Sequence, residues 1–175
     1  MPSRLRVPLG YAVGVLVILL SHPTVTLLLL GLILAMLGEA IRVWASGHIE
    51  KTRRLATGGP YAHTRNPLYV GSLLMALGVA TAAASPWVLL AAAAYFLAFY
   101  PAVMREEAAF LRGKFGEEYA AWAAAVPLFV PRLTAAGPRA SRFEWSRVGA
   151  NREWRTALAL PLLVAVLYLR GRMFP

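Results

Sequence analysis

The sequence predicts an all-α integral membrane protein with about five membrane-embedded helices, arranged as two N-terminal hairpins and a short C-terminal segment. Its hydrophobic fraction is 59%, above the roughly 45–50% of an ordinary soluble domain. Its mean hydropathy is +0.58, and several apolar runs approach the about 20 residues that a helix needs to cross the hydrocarbon. A length of 175 residues fits a single domain, 1–175, with its core at about 24–133.

The first hairpin is predicted over residues 7–20 and 24–45, joined by the sequence SHPT. Pro23 ends the first helix and is also suited to the first turn of the next. A cleaved signal peptide would share the basic start and the short apolar run. We expect the segment to be retained, because a second apolar segment follows at once and no small-residue cleavage motif is present.

The second hairpin is predicted over residues 67–84 and 86–104, since only Ser85 and Pro86 separate the two apolar runs. The segment after it, 105–126, has apolar residues at helical spacing and would lie on the membrane or on the bundle. Gly113 and Gly116 predict a break near GKFG. The fifth apolar segment, 156–169, is short and contains Pro161, and it either crosses the bilayer or only enters it.

Basic residues collect at the N-terminus, in the loop after the second helix and after the fourth helix. Cytoplasmic flanks are enriched in lysine and arginine. Four alternating helices put all three regions on one side, and they put the turns SHPT and ASPW, which have no lysine or arginine, on the other. The N-terminus is therefore predicted to be cytoplasmic, and most of the net charge of +10 is explained without nucleic acid. Arg170 and Arg172 leave the side of the C-terminus open.

Several kinds of chemistry are disfavoured by composition. There are no cysteines, which excludes disulfides, thiolate catalysis and cysteine metal sites. The three histidines are scattered without the spacing of a ligand set. We therefore expect no metal site.

Two polar features interrupt the apolar pattern. The stretch GGPYAHTRNPLYVG, residues 58–71, lies at the cytoplasmic entry to the third helix, and it is either an interfacial aromatic belt with a proline-started helix or the wall of a binding pocket. Glu39 and Arg42 lie three residues apart on one face of the second helix. They form either a local ion pair with the arginine reaching the interface or part of a buried polar pocket.

The stretch LATGGPYAHTRNPLYVGSLLMALG, followed later by REEAAFLRGKFGEEYAAWAAAVPLFVPR, resembles the membrane methyltransferases that include isoprenylcysteine carboxyl methyltransferase and the phospholipid N-methyltransferases. The family pattern comprises GPY, R[HN]PxYxG, a glutamate pair, FGxEY and VPxxxP. Every part is present and in order, over about residues 34–133.

The resemblance implies an S-adenosylmethionine-dependent methyltransferase (product S-adenosylhomocysteine) with a cytoplasmic cofactor pocket. The residues that it assigns to the cofactor lie in the loop, the third helix entry and the glutamate pair: Arg53, Arg54, Leu55, Ala56, Tyr61, His63, Arg65, Asn66, Pro67, Leu68, Tyr69, Glu106 and Glu107. Tyrosine rings suit a sulfonium cation, and a carboxylate suits ribose hydroxyls or an ammonium group.

The implied acceptor is lipophilic and reaches the pocket from the bilayer, but its reacting group is left open as a carboxylate, amine or thiol. Glu39, Arg42 and Arg105 are the candidates for a base or for positioning the acceptor, because they lie near the expected pocket. Two alternatives remain: an NADPH-dependent membrane reductase of the sterol-reductase type, and a non-enzymatic scaffold or transporter.

The region 134–175 is predicted to be a basic linker followed by the short apolar helix. The linker either binds anionic lipid head groups or is a plain cytoplasmic loop, and it is placed to cover the active site. High alanine, leucine and arginine usage suggests a prokaryotic gene, and hence the inner membrane. The expected partners are membrane lipids and a lipophilic substrate, with no prediction of oligomeric state.

Overall fold

The computed structural model describes residues 2–50, 54–137 and 142–173, with residues 2–7 described by their backbone alone. These residues form six α-helices and no strand, which confirms the all-α prediction. The helices are α1 (Pro2–Leu19), α2 (Val25–Ser46), α3 (Pro67–Ala83), α4 (Pro86–Ala125), α5 (Trp145–Ala150) and α6 (Trp154–Met173), with a 3-10 turn at Gly59–Ala62.

Three of these helices, α2, α4 and α6, are long and apolar enough to cross a membrane, and α1 and α3 contain shorter apolar segments. The helix that contains the fifth predicted segment, α6, extends beyond residues 156–169 at both ends. Pro161 lies inside this helix and does not end it.

The closest helix pair is α2 with α3, and small residues form the contact. A Cβ atom built on Gly38 would lie 2.5 Å from the Gly71 carbonyl oxygen and 2.8 Å from Met75, so only glycine fits. Gly31 and Gly78 repeat this arrangement further along the helices. In contrast, α1 packs mainly against α4 rather than against α2, although the connection between α1 and α2 is short.

Helix α4 is longer than the sequence suggested. The element expected at 105–126 continues the fourth apolar segment without interruption as far as Phe115, because residues 105–112 are mostly good helix formers. The break expected near GKFG is present at Gly116, whose φ of 49° and ψ of −120° are not helical. Beyond it, the chain folds back over the entry to α3.

A compact cluster fixes the loop between α2 and α3 to the end of α4. Leu55 and Tyr61 from the loop pack against Tyr119, Trp122 and Val126. Backbone hydrogen bonds then join the loop to the chain after α4, from Arg65 N to Pro127 O at 2.9 Å and from Arg132 N to His63 O at 3.0 Å. The two parts of the family pattern thus lie side by side.

Candidate functional site

A cavity of about 220 Å³ lies between the loop and the end of α4. The loop and the 3-10 turn give one wall, and α4 gives the other. Six of the residues predicted to bind a cofactor line it: Arg54, Leu55, Ala56, Tyr61, Arg65 and Glu107. The other lining residues are largely apolar or aromatic and come mostly from α4: Ile49, Glu50, Phe110, Leu111, Lys114, Phe115 and Trp122.

Tyr61 forms the buried end of this cavity. The indole Nε1 of Trp122 donates a hydrogen bond of 3.1 Å to the Tyr61 carbonyl oxygen, which fixes the 3-10 turn on α4. Burial raises the pKa of the Tyr61 phenol well above its ordinary value, and the negative charge of Glu107 raises it further. The phenol therefore stays neutral and keeps its proton at physiological pH.

Glu107 is held by the helix opposite. The Tyr69 hydroxyl, on α3, donates to the Glu107 carboxylate at 3.0 Å. The Tyr69 ring packs edge to face with Tyr100 at a centroid distance of 5.3 Å. These two contacts between α3 and α4 thus orient Glu107, the acidic residue that α4 contributes to the lining of the cavity.

Arg65 also lines this cavity. Its Nη1 donates to the Tyr119 hydroxyl at 3.0 Å. Its Nε is buried and has no hydrogen-bond partner among the described residues, which costs about 1–3 kcal/mol.

A second cavity, of about 530 Å³, adjoins the first. The two share Arg54, Leu55, Ala56, Glu50 and Phe115. The remaining lining residues come from the loop, from α4 and from the segment around α5: His48, Glu118, Arg142, Glu144 and Arg147. The basic linker thus reaches the predicted site.

Arg42 lies at the centre of a separate polar cluster. Its guanidinium donates to both carboxylate oxygens of Glu153, with three distances of 3.0 to 3.2 Å, and to Ser72 Oγ at 2.6 Å. Glu39 Oε2 lies 3.9 Å from Arg42 Nε, and neither Glu39 oxygen has a hydrogen-bond partner in the described chain. Arg42 Nη1 also lies 3.5 Å from the carbonyl oxygen of Leu68, the residue before Tyr69.

The remaining predicted residues lie outside both cavities. Asn66 is buried, and its Nδ2 donates to the Leu128 carbonyl oxygen at 2.8 Å, which binds the end of α4 to the start of α3. His63 and Pro67 line another cavity, of about 210 Å³, and His63 Nδ1 lies 2.9 Å from the Arg132 carbonyl oxygen. Arg105 and Glu106 are exposed on α4, Leu68 packs on the Tyr61 cluster, and Arg53 falls outside the described residues.

Other residues of the site were not assigned to it by the sequence. Leu111, Phe115 and Trp122 were recognised as an apolar helical face, and the structure turns that face toward the cavity and the loop. Glu153, the main partner of Arg42, had no such signal. Within the described ranges, no group of three or more histidine, aspartate or glutamate side chains is placed to hold a metal ion.

Comparison with known proteins gives a family match and two similar bacterial resistance proteins. The sequence profile described as phospholipid methyltransferase matches residues 9–118. The cobalt-zinc-cadmium resistance protein CzcN of Cupriavidus metallidurans is 41% identical over 111 residues, 62% of this chain and 50% of that protein. The nickel-cobalt-cadmium resistance protein NccN of Alcaligenes xylosoxydans xylosoxydans is 33% identical over 117 residues, 66% of this chain and 53% of that protein.

The chain thus spans about half the length of the curated relatives that it matches. No solved structure matches it. The matched region contains α1 from Leu9 onward, α2, α3, the loop and α4 as far as Glu118. It therefore includes every residue that lines the 220 Å³ cavity except Trp122.

Proposed function

Because the chain belongs to the phospholipid methyltransferase family, we propose that it transfers a methyl group from S-adenosylmethionine to a lipophilic acceptor at the cytoplasmic face of a prokaryotic inner membrane. The observation that carries the proposal is the cavity that brings Tyr61, Arg65 and Glu107 together between the loop and α4. The placement in a membrane is supported by the three helices able to cross one.

The side chains present fit this cofactor in size and chemistry. Pockets for ligands of this size hold about 300–1,000 Å³. The 530 Å³ cavity falls in that range, and the 220 Å³ cavity opens beside it. Arg65 lines the 220 Å³ cavity and brings a positive charge to it. The Glu107 carboxylate accepts one hydrogen bond from Tyr69 and has further acceptor capacity for ribose hydroxyls or an ammonium group.

When bound, S-adenosylmethionine supplies an electrophilic methyl group, and the protein's residues have to orient and shield it. The neutral Tyr61 phenol and its ring give an aromatic, uncharged surface suited to a sulfonium. Tyr69 holds the Glu107 carboxylate in one orientation. Leu55, Phe110 and the other apolar lining residues exclude water. Such positioning contributes up to about 7–11 kcal/mol toward lowering a barrier.

The acceptor side is proposed to lie at the Arg42 cluster. Glu39 and Arg42 are on the membrane-spanning α2, and Arg42 contacts the backbone of α3 one residue before Tyr69. An acceptor that reaches the Arg42 cluster from the bilayer would therefore meet charged groups near Tyr69. Arg105 is exposed, and only its proximity to Glu107 in the sequence supports a role for it.

The central experiment is cofactor binding to the purified full chain in detergent, measured by calorimetry. We expect S-adenosylhomocysteine to bind and NADPH not to bind. Binding of NADPH alone would favour the reductase alternative, and binding of neither would favour a scaffold or transporter. Transfer of a labelled methyl group from S-adenosylmethionine into membrane lipid extracts would then identify the acceptor.

Two neighbouring glutamates provide a matched test of the site. We expect Glu107→Gln to weaken S-adenosylhomocysteine binding by about tenfold, since hydrogen bonds to charged groups contribute roughly 1.5–3 kcal/mol. The control is Glu106→Gln, which makes the same change one residue away on a side chain that lines neither cavity and should bind normally. Equal binding by both variants and the wild type would remove Glu107 from the site.

The names of the two relatives favour a second proposal, compatible with the first. Both relatives are named for resistance to cobalt and cadmium. We propose that methyl transfer by this chain contributes to tolerance of these metals. A deletion strain should regain growth on cadmium with the wild-type gene and not with Glu107→Gln. Full rescue by that variant would separate metal tolerance from methyl transfer.

A further inference from the structure

The segment 142–151 forms part of the wall of the 530 Å³ cavity, and it lies beyond the region that the family profile matches. We call this segment the strap. Arg142, Glu144 and Arg147 of the strap line the cavity together with Arg54 of the loop. The proposed cofactor site is therefore completed by a part of the chain that the family match does not include.

Specific contacts hold the strap on the end of α2. The Phe143 ring covers Gly47 so closely that a Cβ atom there would overlap it. Glu144 N donates to the Gly47 carbonyl oxygen at 3.0 Å. At the other end of the strap, Asn151 Nδ2 donates to the carbonyl oxygens of Ser46 and Ile49, at 2.9 and 3.3 Å.

The charges of the strap are unequally neutralised. Arg147 lies 2.9 Å from Glu144 and 3.5 Å from Glu50, so its charge is balanced. Arg54 and Arg142 have no ion pair with any described residue. The cavity is lined by three arginines and three glutamates. Two of the glutamates, Glu50 and Glu144, contact Arg147, which leaves Arg54 and Arg142 as its guanidinium groups outside an ion pair among the described residues.

The cofactor that the proposed function requires, S-adenosylmethionine, has a carboxylate at its amino-acid end, and an arginine without an ion pair suits that group. Guanidinium groups bind carboxylates with paired hydrogen bonds. We propose that Arg142, held in place by the strap and assisted by Arg54, binds the carboxylate of the cofactor's amino-acid end; the inference rests on the proposed function.

Two ligands separate this role from a general effect on the pocket. S-adenosylhomocysteine has the amino-acid end, whereas 5′-methylthioadenosine has the same nucleoside and thioether without it. We expect Arg142→Ala to weaken binding of S-adenosylhomocysteine by about fivefold to tenfold, the effect of a charge-assisted hydrogen bond at a partly exposed site. Binding of 5′-methylthioadenosine should change by less than about twofold, because no contact to the carboxylate is lost.

Further variants test the geometry. Arg142→Lys should recover part of the affinity, since it restores the charge but not the paired donors. Phe143→Ala should reproduce the selective loss, because it releases the strap from Gly47. The control is Arg155→Ala, an exposed arginine whose guanidinium lies over the Trp154 ring, 5.5 Å from its centroid, and it should bind both ligands normally.

The outcomes are distinct. A selective loss of S-adenosylhomocysteine binding in Arg142→Ala supports the inference. An equal loss for both ligands, or no loss for either, overturns it while leaving the proposed function intact. Wild-type protein that binds neither ligand overturns the proposed function and this inference with it.

Discussion

The ion pair between Arg42 and Glu153 should stabilise the fold measurably, because it fastens the start of α6 to α2. Both charged groups are largely buried, with side-chain exposures of 18% and 8%, and the contact is bidentate. Removing one partner of a fully buried pair costs about 3–5 kcal/mol, whereas an exposed pair contributes under about 1 kcal/mol.

The substitution Glu153→Gln falls between these limits. It keeps the size and one acceptor oxygen, and Arg42 retains Ser72 at 2.6 Å and the more distant Glu39 carboxylate at 3.9 Å. We therefore expect the free energy of unfolding to fall by about 1–3 kcal/mol. The assay is unfolding in mixed detergent micelles containing increasing dodecyl sulfate, followed by tryptophan fluorescence.

Glu144→Gln is the matched control, since it breaks an arginine–glutamate pair whose carboxylate is 51% exposed, and it should lower the free energy of unfolding by less than about 1 kcal/mol. If Glu153→Gln is no more destabilising than this control, the pair does not stabilise the fold.

Two further predictions concern packing and pH. Gly38→Ala should destabilise the contact of α2 with α3 by about 1–3 kcal/mol, because its Cβ would lie 2.5 Å from the Gly71 carbonyl oxygen. The control is Gly14→Ala, whose Cβ would have nothing within 4 Å. Equal stability of the two variants would contradict the close packing of α2 and α3. The raised pKa of Tyr61 predicts stability that is present below the unfolded pKa of about 10 and is lost as the pH rises above it, since the unfolded chain then releases the proton first. Between pH 8 and a pH above 10, the free energy of unfolding should fall less in Tyr61→Phe than in wild type. Equal falls in the two proteins would contradict the raised pKa of Tyr61.

The family resemblance, rather than local geometry, selected Tyr61, Tyr69 and Glu107. The structure places Tyr61 and Glu107 at the 220 Å³ cavity and Tyr69 against Glu107, and their role in cofactor binding stays a prediction. Asn66 belongs to the same motif as Tyr69, and its polar chemistry is compatible with a ligand. In the structure its amide instead bonds Leu128 O, a partner 62 residues away.

Contacts over long sequence distances could not be predicted in this way. Glu153 pairs with Arg42 across 111 residues, and nothing near Glu153 in the sequence indicates which helix it meets. The seating of Phe143 on Gly47 is similar, because a glycine at a helix end indicates only a turn. Such pairs are decided when the helices pack, and the sequence pattern gives no information about that step.

The length of α4 has a consequence for where the reaction takes place. From Pro86 to Glu107 the helix rises about 32 Å, at 1.5 Å per residue, which is close to the about 30 Å thickness of the hydrocarbon layer. In the proposed topology, which puts the ASPW turn at one surface, this length would place Glu107 at the other. The thickness of the surrounding lipid would then set how deeply Glu107 lies, and shorter lipid chains would move it outward into water.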